Sequence, residues 1–344
     1  MKTIKKLSIF LGVLIIIGVL FLGFKFGSKY YQSYQNNKAL SNTVLDVPID
    51  RTDSEKIKNL NNGQILSKTK IDLSEIPPIW NKVSEGGSLI TNYQHLAKIN
   101  FYVIVYKSDS LLVNGIIAEP KEEGTFPVII FNRGGNKEIG KMAKAKTLHS
   151  LIRTSAKLVA EGYLVIASCY REEDEFGGND LNDVLYLAET VKSIPKADPK
   201  RIGMFGWSRG GMMTYLALKK VRYIKTAVIG NGPSDMEAII KARPKMESMV
   251  CAKLIPNYKE HKKEALQKRS VIYWANQLDK NASLLLLCGT KDKQVNPNQA
   301  DKIAKILTDI HYDFRLEKFE TDHKFSGKAE EKDKLLIEWF NERL

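Results

Sequence analysis

The sequence has the length and composition of an ordinary globular protein with a net positive charge. Its 344 residues include 53 Lys and Arg against 39 Asp and Glu, a net of +14, and the 43% hydrophobic and 27% charged residues exclude a disordered or collagen-like chain. Three cysteines and five scattered histidines exclude a disulfide framework and a zinc module with four cysteines, so we expect no metal and no cofactor.

An apolar segment near the N-terminus has the length of a membrane-spanning helix. Residues 7–24 read LSIFLGVLIIIGVLFLGF, without a charge, and as a helix they span about 27 Å, close to the thickness of a bilayer core. Lys2, Lys5 and Lys6 precede this run, which favours a cytoplasmic N-terminus. We predict a cytoplasmic segment at residues 1–6 and a single-pass anchor at 7–26 that places the remaining chain outside the cytoplasm at the cell membrane.

A cleaved signal peptide is the alternative for this segment. The apolar region of a signal peptide usually has about 7–15 residues and ends in a small-x-small cleavage site. Here the run is longer, and residues 25–29 (KFGSK) contain no such site. The sequence therefore favours an uncleaved anchor, although both alternatives place the rest of the chain outside the cytoplasm.

Residues 27–97 are polar, with weak periodicity and many Asn, Lys, Ser and Asp residues. This composition predicts a stalk followed by a short extension that packs on the main domain. Pro77 and Pro78 within this region predict a stiff turn.

From about residue 98, apolar runs alternate with amphipathic helical patterns. The helical patterns include residues 181–191, for which Asp180 is the predicted N-cap, and Leu335 to Leu344. The predicted strands are Phe101 to Tyr106, Leu112 to Ala118, Pro127 to Phe131, Tyr163 to Ser168, Ile202 to Phe205, Ala227 to Ile229, Leu284 to Leu287 and Phe314 to Phe319. This alternation predicts an α/β domain over 98–344, with a mostly parallel, twisted sheet and helices on both faces.

The segment 236–277 interrupts the alternation and is interpreted as a cap-like helical insertion between two strands. Within it, residues 241–270 contain nine Lys or Arg against three Glu. Such a basic stretch can attract nucleic acid, but no aromatic interleaving and no nucleic-acid motif accompany it. We interpret it as a solvated helical face and expect no nucleic-acid partner.

The pentapeptide Gly206-Trp207-Ser208-Arg209-Gly210 lies between a predicted strand and a predicted helix. This is the context of a nucleophile elbow, a turn so tight that the positions two residues on either side of the serine must be glycine. The turn exposes the serine hydroxyl, and the following helix directs its N-terminal dipole toward developing negative charge. Ser208 is therefore the candidate nucleophile.

A serine hydroxyl needs a base and an acid to become reactive, and after an elbow they follow in the order acid, then histidine. Asp292 follows the predicted strand Leu284 to Leu287, and His323 follows the strand Phe314 to Phe319. Both lie beyond the carboxyl ends of strands and hence at the same edge as Ser208. His311 and Asp279 precede their strands and lie at the opposite end.

From about Tyr106 to Leu344 the chain resembles the prolyl oligopeptidase family of α/β-hydrolases. The motifs that carry the resemblance are Ser108-Asp109-Ser110, the elbow Gly206 to Gly211, Arg269-Ser270, Gly289-Thr290-Lys291-Asp292 with Val295 and Pro297, and His323-Lys324-Phe325. The resemblance implies an α/β-hydrolase fold in which Ser208 is the nucleophile, Asp292 the orienting acid and His323 the base.

The chain departs from the family pattern at the loop after strand Pro127 to Phe131. Family members commonly have His-Gly-Gly-Pro there, whereas this chain has Asn132-Arg133-Gly134-Gly135-Asn136. We expect Gly134, Arg133 and the N–H of Arg209 to form the oxyanion hole. For the Arg133 side chain the alternatives are contact with the oxyanion or a substrate carboxylate, and a bridge between loops.

Two further features concern the substrate. The acidic residues Glu172 and Glu173 follow strand Tyr163 to Ser168 and are candidates for binding a cationic or free-amine substrate end, the alternative being a solvated loop paired with Arg171 or Arg209. We expect no β-propeller of the kind found in larger family peptidases, because the roughly 70 residues after the predicted anchor cannot build four blades of four strands.

These inferences predict a membrane-anchored serine hydrolase, with its catalytic domain outside the cytoplasm, that cleaves peptide or aminoacyl amide bonds through an acyl-enzyme on Ser208. A carboxylesterase acting on small esters is the first alternative, and the sequence does not decide between them. The second alternative is a surface binding protein without catalysis, which the triad residues Ser208, Asp292 and His323 argue against. The expected partners are the small substrate and the membrane.

Overall fold

A computed structural model describes residues 54–135 and 141–344, together with residues 27, 28, 31 and 45. The predicted anchor at 7–26 lies outside these residues. Among the residues that the structure describes, no helix is long and apolar enough to cross a membrane.

The described strands form one large sheet and one small hairpin. In chain order they are β1 (Ile65–Ile71), β2 (Ser84–Glu85), β3 (Ser88–Leu89), β4 (Ile99–Ser108), β5 (Leu111–Pro120), β6 (Phe126–Asn132), β7 (Leu164–Ser168), β8 (Ala197–Trp207), β9 (Ile224–Gly230), β10 (Ser283–Gly289) and β11 (Phe314–Phe319). The large sheet has the order β1-β4-β5-β7-β6-β8-β9-β10-β11, and β2 pairs with β3. Strands β7 to β11 are parallel to β6 and each other, whereas β1, β4, β5 and β7 meet in antiparallel pairs. The predicted α/β-hydrolase fold with a mostly parallel sheet is confirmed.

The described helices pack on both faces of this sheet. The α-helices are α1 (Ser54–Lys58), α2 (Pro77–Val83), α3 (Lys141–Thr154), α4 (Ala156–Ala160), α5 (Asp180–Leu185), α6 (Leu187–Val191), α7 (Arg209–Lys220), α8 (Met236–Ala242), α9 (Pro244–Met246), α10 (Ala252–Leu254), α11 (Lys262–Lys268), α12 (Asn298–Asp309) and α13 (Ala329–Arg343). Shorter 3₁₀ or π segments occupy Leu73–Glu75, Thr91–Lys98, Glu247–Cys251, Val271–Tyr273 and Ala275–Gln277.

Two hydrophobic cores lie on opposite faces of the sheet because side chains alternate along each strand. In β6, Val128 and Ile130 enter the core beneath α5, α6, α7 and α12. Their neighbours Ile129 and Phe131 enter the other core, beneath α3, α4 and α13. A strand buried on both faces reads as a continuous apolar run, which is why β6 was recognisable in the sequence.

The extension before residue 98 contributes a strand to the main sheet. β1 pairs in antiparallel register with β4, and Ile76 and Ile79 are buried in the second core. The stiff turn predicted at Pro77 and Pro78 is wrong, because these residues begin helix α2. A proline is well accommodated in the first helical turn, where its missing N–H would have no partner.

The N-cap predicted at Asp180 is also wrong. Asn179 occupies the cap position and Asp180 is the first helical residue. The Asp180 carboxylate instead accepts hydrogen bonds from the N–H groups of Gly177, at 3.0 Å, and Gly178, at 2.8 Å. These bonds fix the turn before α5, and the helical pattern of residues 181–191 is divided at Tyr186 into α5 and α6.

The turn between β4 and β5 is anchored to the sheet by a buried ionic network. The Ser108 hydroxyl donates to Asp183 at 2.6 Å, and Arg171 donates to both Asp109, at 2.8 Å, and Asp183, at 2.6 Å. Burial alone would lower the pKa of Arg171, but the two aspartates raise it, which keeps the guanidinium charged. This network accounts for the Ser108-Asp109-Ser110 motif as a structural feature.

His149 in helix α3 makes stability depend on pH. Burial, followed by the charges of Lys82 and Arg153, lowers the pKa of His149 from 6.5 to about 4. The unfolded chain therefore binds a proton on His149 near pH 6.5, whereas the folded chain binds it only near pH 4. The free energy of unfolding decreases as the pH falls from 6.5 toward 4.

We expect His149→Gln to reduce this loss. Between about pH 7 and about pH 4.5 the wild type should lose about 2 kcal/mol more of its free energy of unfolding than the variant. Urea unfolding at both pH values measures the difference. An equal loss in both proteins would show that His149 takes up a proton in the folded state.

Candidate active site

Ser208 occupies a strained turn between β8 and α7. Its backbone has φ 55° and ψ −121°, a conformation that residues other than glycine rarely adopt. A Cβ on Gly206 would overlap the carbonyl oxygen of Gly210, and a Cβ on Gly210 would overlap that of Asn132. The two glycines of the predicted elbow are thus required by close backbone approach, and strain of this kind is concentrated at functional sites.

Gly134 and Arg209, two of the residues predicted to form the oxyanion hole, lie close to Ser208. Arg209 begins α7, and the first N–H groups of a helix have no partner within it. Gly134 lies beside the elbow, since a Cβ built on it would be 3.0 Å from the Trp207 carbonyl oxygen and 3.1 Å from Ser208 Cβ. Gly134 and Arg209 both line the same cleft as Ser208, in agreement with the positions that an oxyanion hole needs.

Asp292 and His323 are joined by a short hydrogen bond between Oδ2 and Nδ1, of 2.6 Å. The other carboxylate oxygen of Asp292 accepts from the N–H groups of Gln294, at 2.7 Å, and Val295, at 3.0 Å. The Asp292 side chain is only 1% exposed. With Nδ1 bound to the carboxylate, Nε2 is the nitrogen of His323 that remains for chemistry.

Asn231, which the sequence analysis did not single out, connects the two loops that carry Asp292 and His323. It follows β9, its amide Nδ2 donates to the carbonyl of His323 at 3.2 Å, and its Oδ1 accepts from the N–H of Gly289 at 2.8 Å. Its backbone has φ 46°, a conformation that Asn tolerates better than most residues.

A cleft of about 280 Å³ opens beside two of the three predicted triad residues. Ser208 and His323 both line it, although they lie far apart in the sequence. Its apolar wall comes mostly from the β9–β10 segment and the loops beside it: Phe176, Trp207, Pro233, Met236, Ile239, Met246 and Val295. The segment 236–277 therefore contributes one side of the cleft.

The Arg133 side chain does not line this cleft. It is 2% exposed, and its guanidinium donates to the carbonyls of Gly134, at 3.1 Å, and Cys169, at 3.2 Å. The guanidinium also lies 5.0 Å from the centre of the Tyr170 ring. The expected contact of this side chain with the oxyanion or a substrate carboxylate is therefore wrong. The Arg133 side chain instead bridges the loop after β6 and the loop after β7.

The Arg209 side chain is the centre of a buried ionic cluster. It donates to both oxygens of Asp174, each at 2.7 Å, and to Asp180 at 2.8 Å. The rings of Tyr170 and Phe176 lie 4.6 and 4.9 Å from the guanidinium. Burial alone would lower the pKa of Arg209, but the two aspartates raise it. The cluster fixes the loop after β7 against the start of the elbow helix.

Glu172 and Glu173 lie in the same loop but on its outer side. Both are exposed, and neither is among the residues that line the cleft. Asp174 is the acidic residue that turns inward, toward Arg209. The expected binding of a substrate amine by Glu172 and Glu173 therefore has no support from their position.

The cysteines of the described segments are not candidate nucleophiles. All three are buried, and burial raises the pKa of Cys251 and of Cys288 to about 11, so their thiols are protonated at neutral pH. Within the part of the chain that the structure describes, no group of three or more His, Cys, Asp or Glu residues could hold a metal ion.

The geometry agrees with comparisons against known proteins. The chain is 27% identical over 220 residues to an uncharacterized peptidase, YtmA, of Bacillus subtilis (strain 168), covering 62% of this chain and 81% of that protein. Acylaminoacyl peptidase of Pyrococcus horikoshii superposes with a TM-score of 0.59 at 22% identity, covering 75% of this chain. Esterase B of Lactobacillus rhamnosis superposes with a TM-score of 0.56 at 14% identity, covering 71% of this chain and 85% of the esterase.

The chain spans 44% of the length of the Pyrococcus enzyme, and both structural likenesses concern the fold. The model of the prolyl oligopeptidase family matches residues 170–344, which is half of the chain and includes the elbow, Asp292 and His323. The chain therefore belongs to the prolyl oligopeptidase family, a serine peptidase family of the α/β-hydrolase fold.

Proposed function

We propose that this protein is a membrane-anchored serine peptidase that cleaves peptide or aminoacyl amide bonds through Ser208, Asp292 and His323. The observation that carries the proposal is the 2.6 Å bond between Asp292 and His323 at a cleft that His323 shares with the strained Ser208. Ser208 and His323 follow different strands, β8 and β11, and line the same cleft. A serine at a strained turn and a histidine that a buried carboxylate holds are the groups that nucleophilic catalysis requires.

The reaction follows from these positions. Nε2 of His323 takes the proton of the Ser208 hydroxyl as its oxygen attacks the substrate carbonyl. The N–H groups of Arg209 and the Gly134 loop stabilise the oxyanion, and Asp292 stabilises the protonated imidazole. His323 then protonates the leaving amine, and a water molecule releases the acyl group from Ser208 by the same steps.

Hydrolysis of small esters is the second candidate. The cleft, at about 280 Å³, lies at the small end of ligand pockets, and its apolar wall suits a short acyl group. The same residues act on an ester or an amide, because both pass through the same acyl-enzyme. A substrate panel of aminoacyl 4-nitroanilides and short-chain 4-nitrophenyl esters decides which class is turned over faster.

We expect Ser208→Ala to lower kcat/KM for every hydrolysed substrate by at least about 10⁴-fold, because alanine has no hydroxyl with which to form the acyl-enzyme. Ser150→Ala, which changes another serine of the same cleft, is the matched control and should retain most activity. Full activity in Ser208→Ala would refute the assignment, and a wild type inactive on the whole panel would favour a binding protein.

Asp292→Asn should lower kcat by about 10⁴-fold with little change in KM, because an amide favours the wrong imidazole tautomer and cannot stabilise its charge. Asp322→Asn is the matched control: it lies next to His323, is exposed, and its carboxylate binds Ser326 and the N–H of Lys324. Steady-state kinetics separate the two variants, and equal losses in both would contradict the orienting role of Asp292.

Anchoring rests on the uncharged run at residues 7–24. We expect the full chain to stay with membranes after carbonate washing and a chain lacking residues 1–26 to be released. Immunoblotting of both fractions measures this. Release of a shortened form of the full chain would show cleavage of a signal peptide and contradict the anchor.

A further inference from the structure

The charged residues that line the catalytic cleft are all basic within the described part of the chain. They are Arg153, Arg209, Arg243 and Lys324, beside the imidazole of His323, and no Asp or Glu of the described segments lines the cleft. A concave, low-dielectric site lined by one sign of charge concentrates ligands of the opposite sign. The basic residues of the cleft therefore favour a substrate with a negatively charged group.

Two of these groups are bound to buried carboxylates. Arg209 is paired with Asp174 and Asp180, at 2.7 and 2.8 Å. His323 is bound to Asp292. Because Arg209 and His323 already have carboxylate partners, we assign neither of them to the binding of an anion.

The other three cations, Arg153, Arg243 and Lys324, form no ion pair with any carboxylate in the described segments. This differs from many other basic side chains of the protein, such as Arg171 and Lys302, which have carboxylate oxygens within 2.8 Å. Cations that converge on a cleft without a partner are available to a ligand.

Arg153 lies in α3, on the side of the cleft formed with the His323 loop. The Arg153 side chain is exposed, so its guanidinium donors are accessible from the cleft. Asp322 attracts it, but the oxygens of Asp322 accept hydrogen bonds from Ser326 and from the N–H of Lys324. An anion in the cleft can accept charge-assisted hydrogen bonds from Arg153.

Arg243 approaches the same cleft from the segment between β9 and β10. Its Nη1 donates to the carbonyl of Gln294 at 3.3 Å, which places the guanidinium over the segment that follows Asp292. Only one donor of the guanidinium is used in this bond. The remaining donors can bind a carboxylate in the bidentate manner that arginine favours.

We propose that the substrate carries a carboxylate and that Arg153, Arg243 and Lys324 bind it beside the scissile bond. The proposal rests on the proposed function, since it assigns the substrate class of the same site. It replaces the cationic substrate expected from Glu172 and Glu173, which lie outside the cleft. The carboxylate can belong to an acidic side chain or to a free C-terminus.

Binding to the full-length Ser208→Ala protein tests this without depending on catalysis. Isothermal titration calorimetry with acetylated, amidated pentapeptides of Ala and one Phe, in which Glu or Gln replaces one alanine at a time, compares a carboxylate with its neutral isostere. The same peptide with a free or amidated C-terminus tests the second source. We expect at least one carboxylate position to bind about tenfold more tightly than its neutral counterpart, the worth of one charge-assisted hydrogen bond.

The preference for the carboxylate peptide over its neutral counterpart should fall to about twofold or less when Arg153→Gln, Arg243→Gln and Lys324→Gln are combined in this protein. Using Arg153→Lys in place of Arg153→Gln in this combination should restore part of the preference. Lys200→Gln removes one exposed positive charge outside the cleft and should leave the preference intact. Equal binding of all neutral and acidic pairs, or a preference that survives the three substitutions, would overturn the proposal. An inactive wild type that keeps the preference would contradict the proposed hydrolysis alone.

Discussion

The tight turn between β8 and α7 is the constraint on which the rest of the site depends. The backbone at Gly206, Ser208 and Gly210 is packed so closely that side chains at the two glycines would overlap carbonyl oxygens, one of them on Asn132 at the end of β6. Parallel strands end at the same edge of a sheet, so this turn meets the loops after β6, β10 and β11. The residues proposed as nucleophile, oxyanion donors, acid and base thereby all follow strands at one edge.

Buried polar contacts hold these loops in place, because loops lack the regular backbone hydrogen bonds of helices and strands. Arg209 ties the loop after β7 to the elbow helix through Asp174 and Asp180, and Asn231 ties the loops after β10 and β11 to each other. Such groups are costly to bury unless every partner is in place, so they favour one arrangement of the site. A rigid site on strand ends gives the orientation that acyl transfer needs.

Local patterns predicted the strands and the elbow turn, whereas contacts between distant residues could not be predicted. Phe314–Phe319 was bounded correctly as β11, and the glycines around Ser208 revealed the elbow. Strand β1 escaped notice because its sequence, ILSKTKI, is largely polar, as an edge strand allows. Asp180 was expected to cap a helix, since nothing nearby in the sequence showed that Arg209 would be its partner. Likewise, nothing nearby in the sequence showed that Asp174 would bind Arg209 while Glu172 and Glu173 remain exposed.

The central claim is that the elbow and its neighbours make one hydroxyl, that of Ser208, unusually reactive. Treating the full-length protein with a fluorophosphonate and locating the adduct by peptide mass spectrometry tests this most directly. The account predicts a single major adduct on Ser208, formed at neutral pH and absent after unfolding. An adduct confined to a different residue, or a folded protein that forms none, would contradict it.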